Sequence, residues 1–292
     1  MRALGIANAT VRKMFRLVNT KDTSAVQAEV QSAYLEMFPN ASVSFVPKIF
    51  SWASICFSGR YGEFARIDAR YHDFEHTLQV TLCFARLLHG YVAQAQTPIL
   101  TRRAFELGLV AILFHDTGYL KSRTDTSGTG AKYTLVHVTR SIEFAERFLG
   151  EKGFPPGEIR AVQNMIGCTG VNADVSKIPF QDELERIVGY ALGTADLLGQ
   201  MAANDYIDKL DILFSEFAES ATYNQKQNFF SSEEDLKRKT PAFWDHYVLP
   251  HIENEFKGLY RFLGRPGPDG VNWYLLQIDR NLDRLRGELA TA

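Results

Sequence analysis

The sequence predicts an all-α bundle. Apolar residues recur at intervals of three and four along most of the 292 positions, and no series of alternating strands stands out. The segment Arg102 to Phe114 is apolar nearly all round, which places it at the centre of the bundle. At 46% hydrophobic residues the chain can bury a sizeable core. Neither an internal repeat nor a strong linker divides it, so residues 1–292 read as one domain.

The elements follow in order. Asn8 is positioned to cap a first helix running to Val18. Thr23-Ser24 is positioned to cap a second helix through Met37, stopped at Phe38-Pro39-Asn40. Ser44 to Phe57 is apolar and is read as helical. A long helix from about Asp73 to Val92 places His76, Val80, Cys83 and Leu87 on one stripe. Pro98 and Thr101 precede the central helix Arg102 to Phe114, and Gly118 stops it just past His115-Asp116. Ser122 to Lys132 is a polar, glycine-bearing connection. Thr134 is then positioned to cap a helix to Leu149, and Pro155-Pro156 opens another near Gly157 to Ile166. Gln181 to Ala203 is long and helical, continuing past a bend toward Phe217. A helix from Pro241 to Leu263 is broken by Gly264 to Gly270, and the amphipathic segment Trp273 to Leu289 closes the chain.

Composition excludes some functions. The formal charge of −2 argues against a protein that coats nucleic acid. Cys56, Cys83 and Cys168 are widely separated with no CxxC spacing, as expected for reduced thiols in a cytosolic protein. Met1 to Thr20 does not read as a secretory signal, and no stretch approaches the ~18 apolar residues of a membrane span. A cytoplasmic protein is expected, compatible with homo-oligomerisation.

The chemistry concentrates in three segments. His115-Asp116 follows the apolar run Leu107 to Phe114. Upstream lies Tyr71-His72-Asp73-Phe74-Glu75-His76, and downstream Asp196 interrupts the apolar stretch Ile187 to Leu198. Together they offer imidazoles and carboxylates enough for a divalent-metal cage. Each has a plainer explanation. His72 and His76 would share a face of a helix, about 6 Å apart at Cβ, yet also suit a helix start with one exposed and one packed ring. Asp116 near a helix end is also a capping residue. Asp196 costs several kcal/mol to bury ionised unless a cation, a nearby arginine or solvent compensates. The three segments together favour the metal.

The order His, then His-Asp, then Asp resembles the HD-domain metal-dependent phosphohydrolase superfamily from about Tyr71 to Gln200. Tyr71-His72-Asp73-Phe74-Glu75-His76-Thr77-Leu78-Gln79-Val80 is similar to the YHNxxHxxDV signature of the cyclic-nucleotide phosphodiesterase branch, with Asp73 for Asn and Gln79 for Asp. The resemblance implies an HD/PDEase-like helical bundle with a metal-site core at about 70–217 and helical additions at 1–69 and 218–292. It implies His76, His115, Asp116 and Asp196 as ligands of one or two divalent ions (zinc, manganese, magnesium, iron or cobalt), Asp116 as a bridge between two ions, and His72 as general acid. The chain departs from the branch at Tyr119, where its HDxxHxGxxN pattern has a histidine, and in keeping only His137 of a double-histidine segment.

The function this implies is hydrolysis of a small-molecule phosphodiester, nucleotide-like, by metal-activated water. Asp73 or Glu75 is a candidate to orient an imidazole, Lys121, His137 and Gln200 are substrate-binding candidates, and His137 is alternatively a candidate to complete a second metal site. Ser127 to Gly130 is read either as a mobile lid or as a plain connection. Two other classes compete. One is a non-catalytic HD-fold sensor or scaffold that retains an ion. The other is an HD-fold metal oxygenase, disfavoured because no histidine lies between His137 and His246.

Overall fold

The computed structural model describes residues 18–170, 173–264 and 270–291. The expected opening helix from Asn8, and most of the break between Gly264 and Gly270, lie outside the described residues. Among those described, the secondary structure is helical apart from one isolated β-bridge between Phe64 and Ser122.

Eleven α-helices follow one another among the described residues: α1 (Thr23–Met37), α2 (Phe45–Phe57), α3 (Phe74–Ala93), α4 (Arg102–Phe114), α5 (His137–Glu151), α6 (Pro156–Ile166), α7 (Glu183–Met201), α8 (Leu210–Tyr223), α9 (Glu233–Phe243), α10 (Leu249–Asn254) and α11 (Trp273–Thr291). Short acceptors set several starts. Asp22, not Thr23, caps α1 by accepting from the amides of Ser24 and Ala25. Asp73 caps α3 through the His76 amide, Thr101 caps α4 through Ala104, and Asp182 caps α7 through Glu185. Each such cap is worth roughly 1 kcal/mol.

Three elements depart from expectation. Residues 130–133 form a 3₁₀ turn, so α5 begins at His137, after Val136 and not after a cap at Thr134. The helix expected to run on from Ala203 toward Phe217 is interrupted; α7 stops at Met201 and α8 restarts at Leu210. Pro241 lies inside α9 instead of opening a helix, because Ser232 caps an earlier start through the Asp235 amide. The proline removes one ladder hydrogen bond, and the chain continues as a π-turn over Trp244–Val248 before α10.

α3, α4 and α7 form the centre, each packed on the other two. On α4, Leu109, Val110, Ile112, Leu113 and Phe114 have no exposed surface; burying each side chain contributes roughly 1.5–3 kcal/mol. The stripe His76, Val80, Cys83 and Leu87 on α3 is buried as its spacing predicts. α7 meets α3 at Gly199, where a Cβ would come within 2.8 Å of the Val80 Cα. That close approach of backbones brings one turn of α7 beside the first turns of α3. Cys56, Cys83 and Cys168 are free and buried. Among the described residues, no helix is long and apolar enough to cross a membrane.

Candidate metal centre

Each central helix delivers a polar side chain to one place. His76 comes from the first turn of α3, His115 and Asp116 from the end of α4, and Asp196 from the middle of α7. Adjacent residues do not share a helix face, so the HD pair converges only because the backbone changes there. His115 keeps helical dihedrals (φ −59°, ψ −29°), whereas Asp116 lies at φ −105°, ψ 10°, in the sparsely populated bridge region.

The turn after the pair is clamped by α5. The Gly118 amide donates to Ser141 Oγ (2.8 Å), and Arg140 donates to the carbonyls of Gly118 (2.7 Å) and Leu120 (2.8 Å). A Cβ on Gly118 would fall 2.0 Å from the His137 carbonyl oxygen, so only glycine lets α5 approach this closely.

His76 Nε2 lies 3.3 Å from Asp116 Oδ2 and 3.4 Å from Asp196 Oδ1. His115 Nε2 repeats the pattern, 3.3 Å from Asp116 Oδ2 and 3.4 Å from Asp196 Oδ1. Ligand atoms of His76, His115 and Asp116 all fall within 4.8 Å of one another. The four imidazole–carboxylate separations are close to the ~3.4 Å between neighbouring ligands around an ion with ~2.1 Å metal–ligand distances. The floor is closed and the mouth open. The side chains of His115, Asp116 and His76 are 1%, 2% and 4% exposed, against 12% for Asp196, 15% for His72 and 18% for His137.

Two buried atoms, His115 Nε2 and Asp116 Oδ2, have no hydrogen-bond partner. His115 Nδ1 lies 2.7 Å from the Ile112 carbonyl, which only accepts, so Nδ1 carries the hydrogen and the neutral ring turns a lone pair toward the cluster. A buried orphan acceptor beside a buried carboxylate is costly unless a cation sits between them. In the metal-free cluster a proton takes that part. Burial disfavours the imidazolium of His115, but the negative charges of Asp116 and Asp196 outweigh it and push its pKa up to about 9. Burial likewise works against Asp196, yet His115 and His76 hold its carboxyl well below the usual range. The donor set therefore fits a divalent ion.

His72 does not lie on a helix with His76, because Asp73 between them is the cap of α3. The rings nevertheless lie near one another, with centroids 5.5 Å apart. His72 Nδ1 is 2.6 Å from Glu216 Oε2 on α8, and Glu216 Oε1 accepts from the amides of Arg70 and Tyr71, both at 2.7 Å. Burial pulls the His72 pKa down, but the Glu216 carboxylate more than reverses this and leaves it raised. Burial raises the Glu216 pKa in turn, and the His72 charge brings it below its ordinary value.

Glu216, which no sequence argument singled out, therefore holds the His72 ring. Its signal was a carboxylate on the buried stripe Leu210, Leu213, Glu216, Ser220 of α8. The two residues considered for that task do other work: Asp73 caps α3, and Glu75 pairs with Lys209 at 3.1 Å.

The substrate-binding candidates separate. His137 lies at the mouth, its Nε2 3.8 Å from Asp116 Oδ1 and its Nδ1 2.7 Å from the Thr134 carbonyl. Tyr119 stacks with both His72 (4.6 Å, 10°) and His137 (4.8 Å, 22°). Gln200 accepts from the Tyr71 hydroxyl at 2.9 Å and donates to the Asp196 carbonyl at 3.0 Å, bracing the neighbours of the cluster. Lys121 is buried and engaged elsewhere, paired with Asp68 at 3.0 Å and donating to the Gly128 carbonyl. The connection at Ser127 to Gly130 is pinned, which argues against a lid. Lys132 donates to the Ser127 carbonyl (2.6 Å), Thr129 Oγ1 to Glu219 (2.6 Å), and the Gly130 amide to Asp68 (2.7 Å). His251 packs against Tyr247 and Phe256 and pairs with Glu255.

A family model described as Npun_R2479-like matches residues 123–264. No curated protein matches the sequence. Among solved structures the chain is similar to LmjPDEB1 in complex with IBMX, a Leishmania cyclic-nucleotide phosphodiesterase. The sequences are 15% identical, the match covers 97% of this chain and 91% of that one, and the TM-score is 0.53.

The fold is that of the HD-type phosphodiesterases.

At this identity the likeness speaks for the phosphodiesterase fold alone. Within that fold, the region matched by the family model contains His137, Asp196 and Glu216 but begins after His72, His76, His115 and Asp116.

Proposed function

We propose that this chain is a metal-dependent phosphohydrolase that cleaves a phosphodiester of a small, nucleotide-like molecule. The observation that carries the reading is the convergence of His76, His115, Asp116 and Asp196 at 3.3–3.4 Å spacing, with two orphaned buried atoms among them. In this reading the four side chains hold the ion. A divalent ion held there supplies an activated water at neutral pH and polarises a phosphoryl oxygen.

The remaining steps fall to the protein. His72, at the mouth, donates the proton that the leaving oxygen requires. Its Nδ1 hydrogen is committed to Glu216, so the transferable proton is the one on Nε2. Glu216 favours the protonated ring, which keeps an acid available near neutral pH. Tyr119 lies flat against His72 and limits the directions in which Nε2 points. The buried floor excludes water from behind the cluster, so substrate approaches from the side of His72, His137 and Asp196.

The test combines elemental analysis of the purified protein with hydrolysis of bis-p-nitrophenyl phosphate, then of cyclic and linear nucleotides and phospholipid head-group esters. Bound metal with turnover supports the reading. Bound metal with no turnover on any ester would instead make the chain a non-catalytic binder, and iron with oxygen uptake would make it an oxygenase.

A further inference from the structure

The two oxygens of Asp116 face different surroundings. Oδ2 looks into the floor, 3.3 Å from both His76 Nε2 and His115 Nε2, in the cluster that Asp196 completes. Oδ1 looks outward to one imidazole, His137 Nε2, at 3.8 Å. His137 gives its Nδ1 hydrogen to the Thr134 carbonyl, so the neutral ring presents a lone pair to that oxygen. Two acceptors at this spacing suit a water molecule that donates to both. They are half of the donor set that the inner position offers.

The neighbour on the outer side is aromatic. Tyr119 stacks on both His137 and His72, and a neutral phenol adds little to imidazole and carboxylate ligands. On the inner side, by contrast, ligand atoms of His76, His115 and Asp116 lie within 4.8 Å of one another, and Asp196 Oδ1 lies 3.4 Å from both imidazoles.

From this asymmetry we infer that the centre is mononuclear: one divalent ion held by the inner oxygen of Asp116 with His76, His115 and Asp196, and no second tightly held ion on the outer oxygen. The inference rests on the phosphohydrolase reading and assigns its ion count. His137 then acts as a positioning residue for water at the mouth and is not a ligand.

The whole chain, loaded with Mn(II) and freed of excess ion by gel filtration, is assayed by mass-spectrometric metal analysis and by electron paramagnetic resonance. One ion per chain with the spectrum of isolated Mn(II) is expected. Two ions per chain with an exchange-coupled spectrum would overturn the mononuclear inference and leave the phosphohydrolase reading standing. No retained ion, with Zn(II), Co(II) and Fe(II) tried as well, would overturn that reading and the inference with it. His137→Ala is expected to retain one ion. Its loss from a variant that keeps the helical circular dichroism spectrum of the parent would place His137 among the ligands and refute the assignment.

Discussion

The Nδ1 atom of His72 lies 2.6 Å from Glu216 Oε2, across 144 residues of sequence. That contact raises the His72 pKa and lowers that of Glu216, so the pair shares a proton on the imidazole side. Replacing Glu216 by Gln removes the charge that favours imidazolium. The acid form of His72 is then lost at lower pH, and the alkaline limb of the kcat profile moves toward acid. A loss on the order of 10- to 100-fold in kcat at neutral pH is expected. A pH–rate profile with an unmoved alkaline limb would show that His72 is not the acid.

His72→Asn should retain the ion and lose about 10²–10⁴-fold in turnover. Metal analysis beside the kinetic assay makes the distinction. Disappearance of the ion from a folded variant would turn His72 from an acid into a ligand.

Metal uptake should release protons. In the free cluster His115 holds a proton up to about pH 9, and an ion needs the lone pair that this proton occupies. Affinity should therefore rise with pH through neutrality and level off near that value. Calorimetry at pH 7 in buffers of different ionisation enthalpy should give different binding heats; identical heats would mean that no proton leaves.

Chelation should lower thermal stability, because three helices lose a common partner. An ion present at a hundred times its dissociation constant stabilises the native state by ~2.7 kcal/mol. Thermal melts with and without a chelator measure this. Asp196→Ala should show little further change on chelation, since its ligand set is already broken.

Gly118→Ala should destabilise the chain by at least roughly 1–3 kcal/mol through overpacking against the His137 carbonyl. The cost should appear in a denaturant midpoint. A variant as stable as the parent would mean that α5 can retreat from the HD turn freely.

Much of this architecture was legible in the residues, and the failures have identifiable causes. The stripe His76, Val80, Cys83 and Leu87 fixed the buried face of α3, and the all-round apolar Arg102 to Phe114 located the centre. The start read near Asp73 agrees with its capping of α3, which leaves His72 outside the helix and favours the helix-start reading of His72 and His76 over a shared face. Pro241 looked like a beginning because a π-turn that absorbs an internal proline leaves no compositional trace. Asp196 stood out as an acid in an apolar run. Glu216 did not, because its partners are a ring and two amides more than 140 positions away. Lys121 sits close to the HD pair in sequence, but Asp68 and a loop carbonyl claim its ammonium.

Because the cluster draws on α3, α4 and α7 at once, neither half of the chain contains it. A fragment beginning at residue 123 would keep His137, Asp196 and Glu216 while discarding three of the four clustered side chains. Any shortened product of this chain that severs α4 from α7 thus lacks this four-residue cluster, whatever portion of the helical scaffold it still folds.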